Sequence, residues 1–392
     1  MSRQPNEHVV KITAVAHGGY GVSRINGQVC FVAYALPGDT LRIRVARQTK
    51  GVLWGEILEV VEPSPDRMPV ETNHFGACGG CSWLHFAYPA QAHWKLRIVR
   101  DALSRIGGID TEPEWLEEES LRLGYRTRGE FHGKSGRLGF YALGTNEIKT
   151  TDLCPLLHPT LAQALERLQE LRADGPVEVT VNPEDPRPLD AVMVWARRPP
   201  AQKVQDFFPV VGWAGRPGEA GCFVFDGVPV VNGAFSQASL LLNRMLVEKV
   251  RQMLATPATL LDLYCGSGNF SLTLDGRVDV LGLDHNRDAI TAANQIRPSA
   301  YRVADESDFL LELEKPWEAI LLDPPRQGAK EIIEPMSAGP ARKIVYVSCD
   351  PATLARDLKT LTARGWRLTE TAVLDMFPNT PHVETVCRLQ RG

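Results

Sequence analysis

The chain has 392 residues, 44% hydrophobic and 23% charged, with a formal net charge of -4, which is ordinary for a soluble globular protein of two or three domains. Its eight cysteines are too sparse for a disulfide scaffold, the opening MSRQPNEHVVK lacks the apolar core of a signal peptide, and no run is long and apolar enough to span a membrane. A cytoplasmic protein with reduced thiols and no membrane partner is therefore expected, and the mild charge leaves a nucleic-acid partner open, because the distribution of basic residues counts for more than their sum.

Residues 1–62 alternate apolar and polar positions in VVKITAVAH, GVSRI, QVCFVAY, DTLRIRVARQ and LWGEILEVVE, with turns at His17-Gly-Gly-Tyr-Gly21 and Leu36-Pro-Gly-Asp39. Five strands in so short a stretch predict a small β-barrel of the oligonucleotide-binding kind. Arg42, Arg44, Arg47 and Lys50 fall at near-alternating spacing and would line one face, either as a phosphate track or as a solvated strand face.

Pro63-Ser-Pro65 has the composition of a linker, and a mixed α+β segment follows, over 63–225. It carries Cys78-Gly-Gly-Cys81 and an isolated Cys154-Pro155. It also carries a basic run from Arg122 through Arg128, His132, Lys134 and Arg137, interleaved with Tyr125 and Phe131. Such a run suits phosphate contact with base stacking, and a charged surface hairpin would look the same.

Over 226–392, helical patterns alternate with the apolar strands ATLLDLYCG, VDVLGLD, WEAILLDPPR and KIVYVSC. This predicts an α/β, doubly wound, Rossmann-like domain whose ligands sit beyond the carboxyl ends of the strands. Gly266 and Gly268 in Asp262-Leu-Tyr-Cys-Gly-Ser-Gly-Asn-Phe270 permit a tight turn and close approach of a ligand to the backbone. A dinucleotide fingerprint would place a third glycine where Ser271 stands, so NAD is disfavoured. With Asp284 ending the next strand as a ribose-binding acid, S-adenosylmethionine fits better. Asp323-Pro-Pro-Arg326 ends a further strand, and its arginine replaces the aromatic residue usual in enzymes that methylate exocyclic amines; the cysteine that RNA 5-methylcytosine enzymes add to this motif is also missing. Cys349 stands on a corner, with Asp350 as an N-cap and Pro351 as the first helical residue. The positive helix end would favour its thiolate, and a half-buried packing cysteine is the competing reading. Strand alternation through Phe377-Pro-Asn-Thr-Pro-His-Val-Glu384 would put His382 and Glu384 on one face.

Together these segments resemble the RNA 5-methyluridine methyltransferase family, of the TRAM-containing 23S rRNA uracil-5-methyltransferase type, over nearly the whole chain. The motifs that carry the likeness are LLDLYCGSGNF, LLDPPRQGA, VYVSCDPATLARDL and DMFPNTPHVETV. The resemblance implies a TRAM domain over 1–62, a central domain over 63–225 and the transferase domain over 226–392. It implies that Gln237, Tyr264, Asn269, Asp284, Asp305 and Asp323 line the S-adenosylmethionine and target pocket. It makes Cys349 the nucleophile that adds to uracil C6 and Glu384 the base that removes the C5 proton. Iron-sulfur members carry four cysteines, and Thr72 stands where the first is expected. Cys78, Cys81 and Cys154 could still hold a 4Fe-4S cluster with Thr72, His74 or water as the fourth ligand; a zinc site is the rival. The partner implied is RNA, ribosomal before transfer RNA, bound by a monomer.

Overall fold

The structure, a computed structural model, describes residues 6–70, 72, 75–150, 154–187, 189–190, 192–215 and 221–391. His74, one of the alternative metal ligands, lies outside the described residues. The chain divides into two compact units: residues 1–98, 142–145 and 377–382 form one, and the remainder forms the other.

In the first unit, β1 (Glu7–Lys11), β2 (Ala14–Val15), β3 (Gly21–Ile25), β4 (Gln28–Val32), β5 (Thr40–Thr49) and β6 (Val52–Glu62) make a six-stranded sheet in the order β1-β5-β6-β4-β3-β2. Alternation sends Val10, Ile12, Cys30, Val32, Leu41, Ile43 and Leu53 into one core. Asn26-Gly27, with φ of 49° and 83°, closes the β3–β4 hairpin in the left-handed conformation that the strand twist favours. Gly55 leaves room for the core side chains: an added Cβ there would stand 2.7 Å from Ile43 Cδ1. The Pro63-Ser-Pro65 stretch is pinned rather than loose. Ser64 N–H donates to the buried Asp39 carboxylate (2.8 Å), Ser64 Oγ donates to the Pro37 carbonyl (2.7 Å), and Arg67 pairs with Asp39 (2.5 Å). Helix α1 (Tyr88–Ala102) begins in this unit, and Gln91 exchanges hydrogen bonds with Asn379, donating to its Oδ1 (3.1 Å) and accepting from its N–H (3.0 Å). Residues 377–382 thereby belong to the first unit, and His382 with them.

The second unit holds two large sheets. The first joins β8 (Arg128–Lys134), β9 (Arg137–Tyr141), β10 (Ile148–Thr150), β11 (Gly175–Val181), β12 (Val192–Ala196) and β13 (Val210–Trp213) in the order β10-β9-β8-β11-β12-β13. One face packs Phe131, Leu138, Val177 and Val179 against Leu161, Leu165 and Leu168 of α2 (Pro159–Glu170) and Val204 of α3 (Gln202–Phe207). A hairpin of β14 (Cys222–Phe225) and β15 (Val228–Val231) then leads to α4 (Leu240–Leu254).

The second sheet is the doubly wound one. Its members are β7 (Glu114–Leu116), β16 (Thr259–Leu263), β17 (Asp279–Asp284), β18 (Tyr301–Val303), β19 (Ala319–Leu322), β20 (Lys343–Ser348), β21 (Arg367–Leu374) and β22 (Glu384–Gln390). The helices between them are α5 (Arg287–Ile296), α6 (Glu306–Leu313), α7 (Lys330–Ala338) and α8 (Pro351–Ala363). The order is β18-β17-β16-β19-β20-β22-β21-β7, parallel from β18 to β20, with β22 antiparallel to both its neighbours. Leu261, Ile320, Leu321, Val345 and Val347 are all buried, as strands covered on both faces require. β22 starts only at Glu384, because the turn before it holds two prolines, which have no N–H to donate to a ladder, and Asn379 at φ 63°. The expectation that His382 and Glu384 share a strand face is thus corrected.

Candidate active site

The turn after β16 is built for a ligand. Tyr264 and Gly266 both take left-handed φ (59° and 55°), and a Cβ added to Gly266 would meet only open space. A bulky non-glycine residue such as Tyr264 is uncommon in that conformation. Gly268 (φ 82°) is a packing requirement, since a Cβ there would stand 2.8 Å from Leu272 and 2.9 Å from the Tyr301 hydroxyl. Asp284 accepts the N–H of Gly266 at Oδ2 (2.9 Å) and of Asn286 at Oδ1 (2.8 Å), which fixes the buried carboxylate against the turn. Asp262 beneath it is buried, its Oδ2 has no hydrogen-bond partner, and burial pushes its carboxyl up to about 7.

Beside this turn opens a cavity of about 380 Å³, lined among others by Gln237, Tyr264, Gly266, Asn269 and Asp323. That volume lies in the range of small-molecule sites. The sequence reading missed Asn243 of α4, whose side-chain amide exchanges two hydrogen bonds with that of Asn269 (2.7 and 3.1 Å). It also missed Phe235, 70% exposed at the rim. Neither position carries a local signal; each is a common residue in an unremarkable stretch. Arg128, read as a candidate phosphate contact, is instead spent on this rim. It donates to the Ser236 carbonyl (2.9 Å), pairs with Glu178 (2.6 Å) and sits 5.5 Å from the Phe235 ring centroid. Asp305 lies outside the cavity lining and caps α6, accepting from Ser307 N–H (2.9 Å) and Asp308 N–H (3.2 Å).

The second half of the site gathers at neighbouring strand ends. Cys349 follows β20, and Asp350 Oδ1 accepts the N–H groups of Ala352 and Thr353 (2.9 Å each) at the start of α8, with Pro351 in the first turn. The Asp350 carboxylate therefore takes up the free N–H groups that would otherwise favour a thiolate. The half-buried Cys349 thiol is pushed up to about 11, first by burial and then by the carboxyls of Glu384 and Asp323, with Arg326 opposing. The expectation of a depressed thiol value is corrected: burial, with two acids added to it, outweighs one helix end. Burial raises both carboxyls, Asp323 to about 7 with Asp262 adding to it, and Glu384 well above the usual range with Asp323 adding to it. Asp323 lines the cavity as well, so the acids, the thiol and the cofactor-type turn form one site.

The CGGC thiols Cys78 and Cys81 are buried, and Cys154 is half-buried. Cys78 Sγ accepts the Gly80 N–H (3.3 Å), and the buried Thr72 hydroxyl has no partner. Among the described residues no three His, Cys, Asp or Glu side chains come together as a metal site.

Comparison with known proteins fits this geometry. Residues 309–392 match the model of the tRNA (uracil-5-)-methyltransferase family, and residues 7–58 match that of the TRAM domain. The 23S rRNA (uracil(1939)-C(5))-methyltransferase RlmD of Thiobacillus denitrificans is 32% identical over 98% of this chain and 99% of its own. The protein of the same name from Methylococcus capsulatus is 31% identical over 97% and 96%. Among solved structures, the Pyrococcus abyssi tRNA (uracil-54, C5)-methyltransferase in complex with S-adenosyl-L-homocysteine superposes with a TM-score of 0.74 at 26% identity, covering 97% of this chain and 100% of that one.

Proposed function

The chain belongs to the RNA uracil-C5-methyltransferase family, and from that premise we propose that it transfers a methyl group from S-adenosylmethionine to C5 of a uridine in 23S rRNA. The observation that carries the reading is the meeting of Cys349, Glu384 and Asp323 at strand ends beside the cavity. The residues of the β16 turn fit the cofactor: a left-handed glycine with open space above it, an oriented Asp284 and an orphaned Asp262 oxygen. When bound, S-adenosylmethionine supplies an electrophilic methyl group.

Uracil C5 is a poor nucleophile until C6 is attacked. The Cys349 sulfur forms the bond to C6 while its proton passes to the Asp323 carboxylate, and C5 becomes electron-rich enough to take the methyl group. Glu384, once it has passed its own proton to solvent, then removes the C5 proton, the C5–C6 double bond re-forms, and the S–C6 bond breaks as the departing sulfur takes back the proton held on Asp323. Arg326 opposes the build-up of negative charge beside the sulfur. A uridine must leave its stack to reach a thiol at this depth.

The finer assignments are carried by the resemblance and by the positions named. Gln237, Tyr264, Asn269 and Asp284 hold the cofactor, the barrel of 1–62 and the central segment of 63–225 meet the RNA, and 226–392 does the chemistry. The enzyme works as a cytoplasmic monomer; no helix among the described residues is long and apolar enough to cross a membrane. An iron-sulfur cluster on Cys78, Cys81 and Cys154 is a separate proposal, supported by two buried thiols and an unpartnered Thr72 hydroxyl. The described residues alone do not assemble its ligand set, so no catalytic step passes through it. Iron and sulfide in anaerobically purified protein, lost in Cys78→Ser, support the cluster; their absence removes it and leaves the chemistry intact.

Incubating the protein with unmodified 23S rRNA and methyl-labelled cofactor, then analysing nucleosides, tests the function. Label in 5-methyluridine is expected, and label confined to another base overturns the reading.

A further inference from the structure

The barrel carries a surface that methyl transfer does not use. Strand register sets Arg47 on β5 opposite Trp54 on β6, Trp54 opposite Phe31 on β4, and Phe31 opposite Val22 on β3, with Tyr20 at the entry to β3. Four neighbouring strands thus present one row of side chains. Ring centroids lie 5.4 Å apart for Phe31–Trp54, 5.1 Å for Tyr20–Trp54 and 6.4 Å for Tyr20–Phe31. The Arg47 guanidinium covers Trp54 at 4.7 Å. Alternation turns this row away from the core filled by Cys30, Val32 and Leu53, and the three rings stay half-buried on the outer face.

The charges around the row differ from those farther along β5. Arg42 is paired with Glu59 (2.6 Å) and Arg44 with Glu56 (2.8 Å), so the expected arginine track is neutralised across the β5–β6 ladder. Arg47 makes no ion pair among the described residues, and Lys50 stands exposed on the turn that follows. An outward row of aromatic rings with uncompensated cations beside it suits a polyanion with π-faces. A protein partner would also use Trp, Tyr and Arg, but Glu56, beside the row on β6, is already paired with Arg44, so the row offers a partner π-faces and cations.

We infer that this face is a stacking platform for single-stranded RNA, with bases on Trp54, Phe31 and Tyr20 and phosphates beside Arg47 and Lys50. The inference rests on the reading of the chain as an RNA methyltransferase and says which part of the barrel grips the strand. Fluorescence anisotropy of the full-length protein with an unstructured oligouridylate tests it. Trp54→Ala and Arg47→Glu should each weaken binding on the order of tenfold, whereas Arg42→Gln should leave it unchanged. If Trp54→Ala lowers the melting transition, Arg47→Glu, an exposed substitution, still reports. Affinities equal to that of the unaltered protein in Arg47→Glu and in a folded Trp54 variant overturn the platform, including in favour of a protein partner. Methylation of a base other than uracil by the unaltered protein would instead overturn the functional reading, with the binding result still deciding the platform.

Discussion

The corner that holds Cys349 and the arginine stripe of the barrel are both clusters of charge, and they obey different physics. At the corner, Glu384 is 3% exposed and Asp323 raises its carboxyl further, and both acids alter the protonation of the thiol. On the barrel, Arg42 and Glu59 meet at 2.6 Å with about half of each side chain in solvent, where water screens most of the attraction. Clusters of charge therefore carry unequal consequences, and burial decides which of them can do chemistry.

The sharpest break in that comparison is loss of the thiol. Cys349→Ala should abolish methylation while leaving cofactor affinity in place, measured by label transfer alongside calorimetry. Retained turnover would reduce the corner to another charged surface. Next comes the cofactor turn. Asp284→Ala should weaken S-adenosylmethionine binding by roughly 1–3 kcal/mol, the scale of hydrogen bonds to a charged group, with little change in RNA affinity.

Protonation supplies a third test, and its sign follows from the raised carboxyls. A carboxyl whose folded value lies above its unfolded one holds its proton in the native state, so it costs stability as pH rises from the ordinary carboxyl range through the folded value. For Asp323 that window runs from about 4 to about 7. Glu384→Gln removes the neighbouring acid. It should raise stability at pH 8, flatten the dependence of melting temperature on pH, and draw the Cys349 thiol down from about 11, with the part due to burial remaining. Thiol alkylation rates against pH read the last effect. The smallest change belongs to the barrel: Arg42→Gln should move stability by no more than about 0.5 kcal/mol, seen as an unchanged denaturant midpoint.

The same contrast explains what the amino-acid order made legible. The four apolar runs ending at Leu263, Asp284, Leu322 and Ser348 announced parallel strands because such strands are buried on both faces. Asp350-Pro351 announced a helix start because capping is local chemistry. β7 went unread, being three residues, Glu114–Leu116, held by pairing with β21 and by the ion pair of Glu114 with buried Lys249 (2.6 Å). The thiol's raised value went unread for a related reason. It is set first by burial and then by Glu384 and Asp323, which come from other strands, while only the helix end is adjacent in sequence. Asp305 shows the converse: a position suggested for the pocket by the resemblance has its carboxylate occupied by the cap of its own helix.

The covalent role of Cys349 is the central claim, and trapping with 5-fluorouridine RNA tests it most directly. Fluorine at C5 cannot be removed as a proton is, so addition and methyl transfer should proceed and release should fail. The account predicts an RNA–protein band on a denaturing gel that carries label from the cofactor methyl group, maps by peptide mass to Cys349 and is missing in Cys349→Ala. No adduct under conditions where unmodified RNA is methylated, or an adduct mapped to another residue, would contradict it.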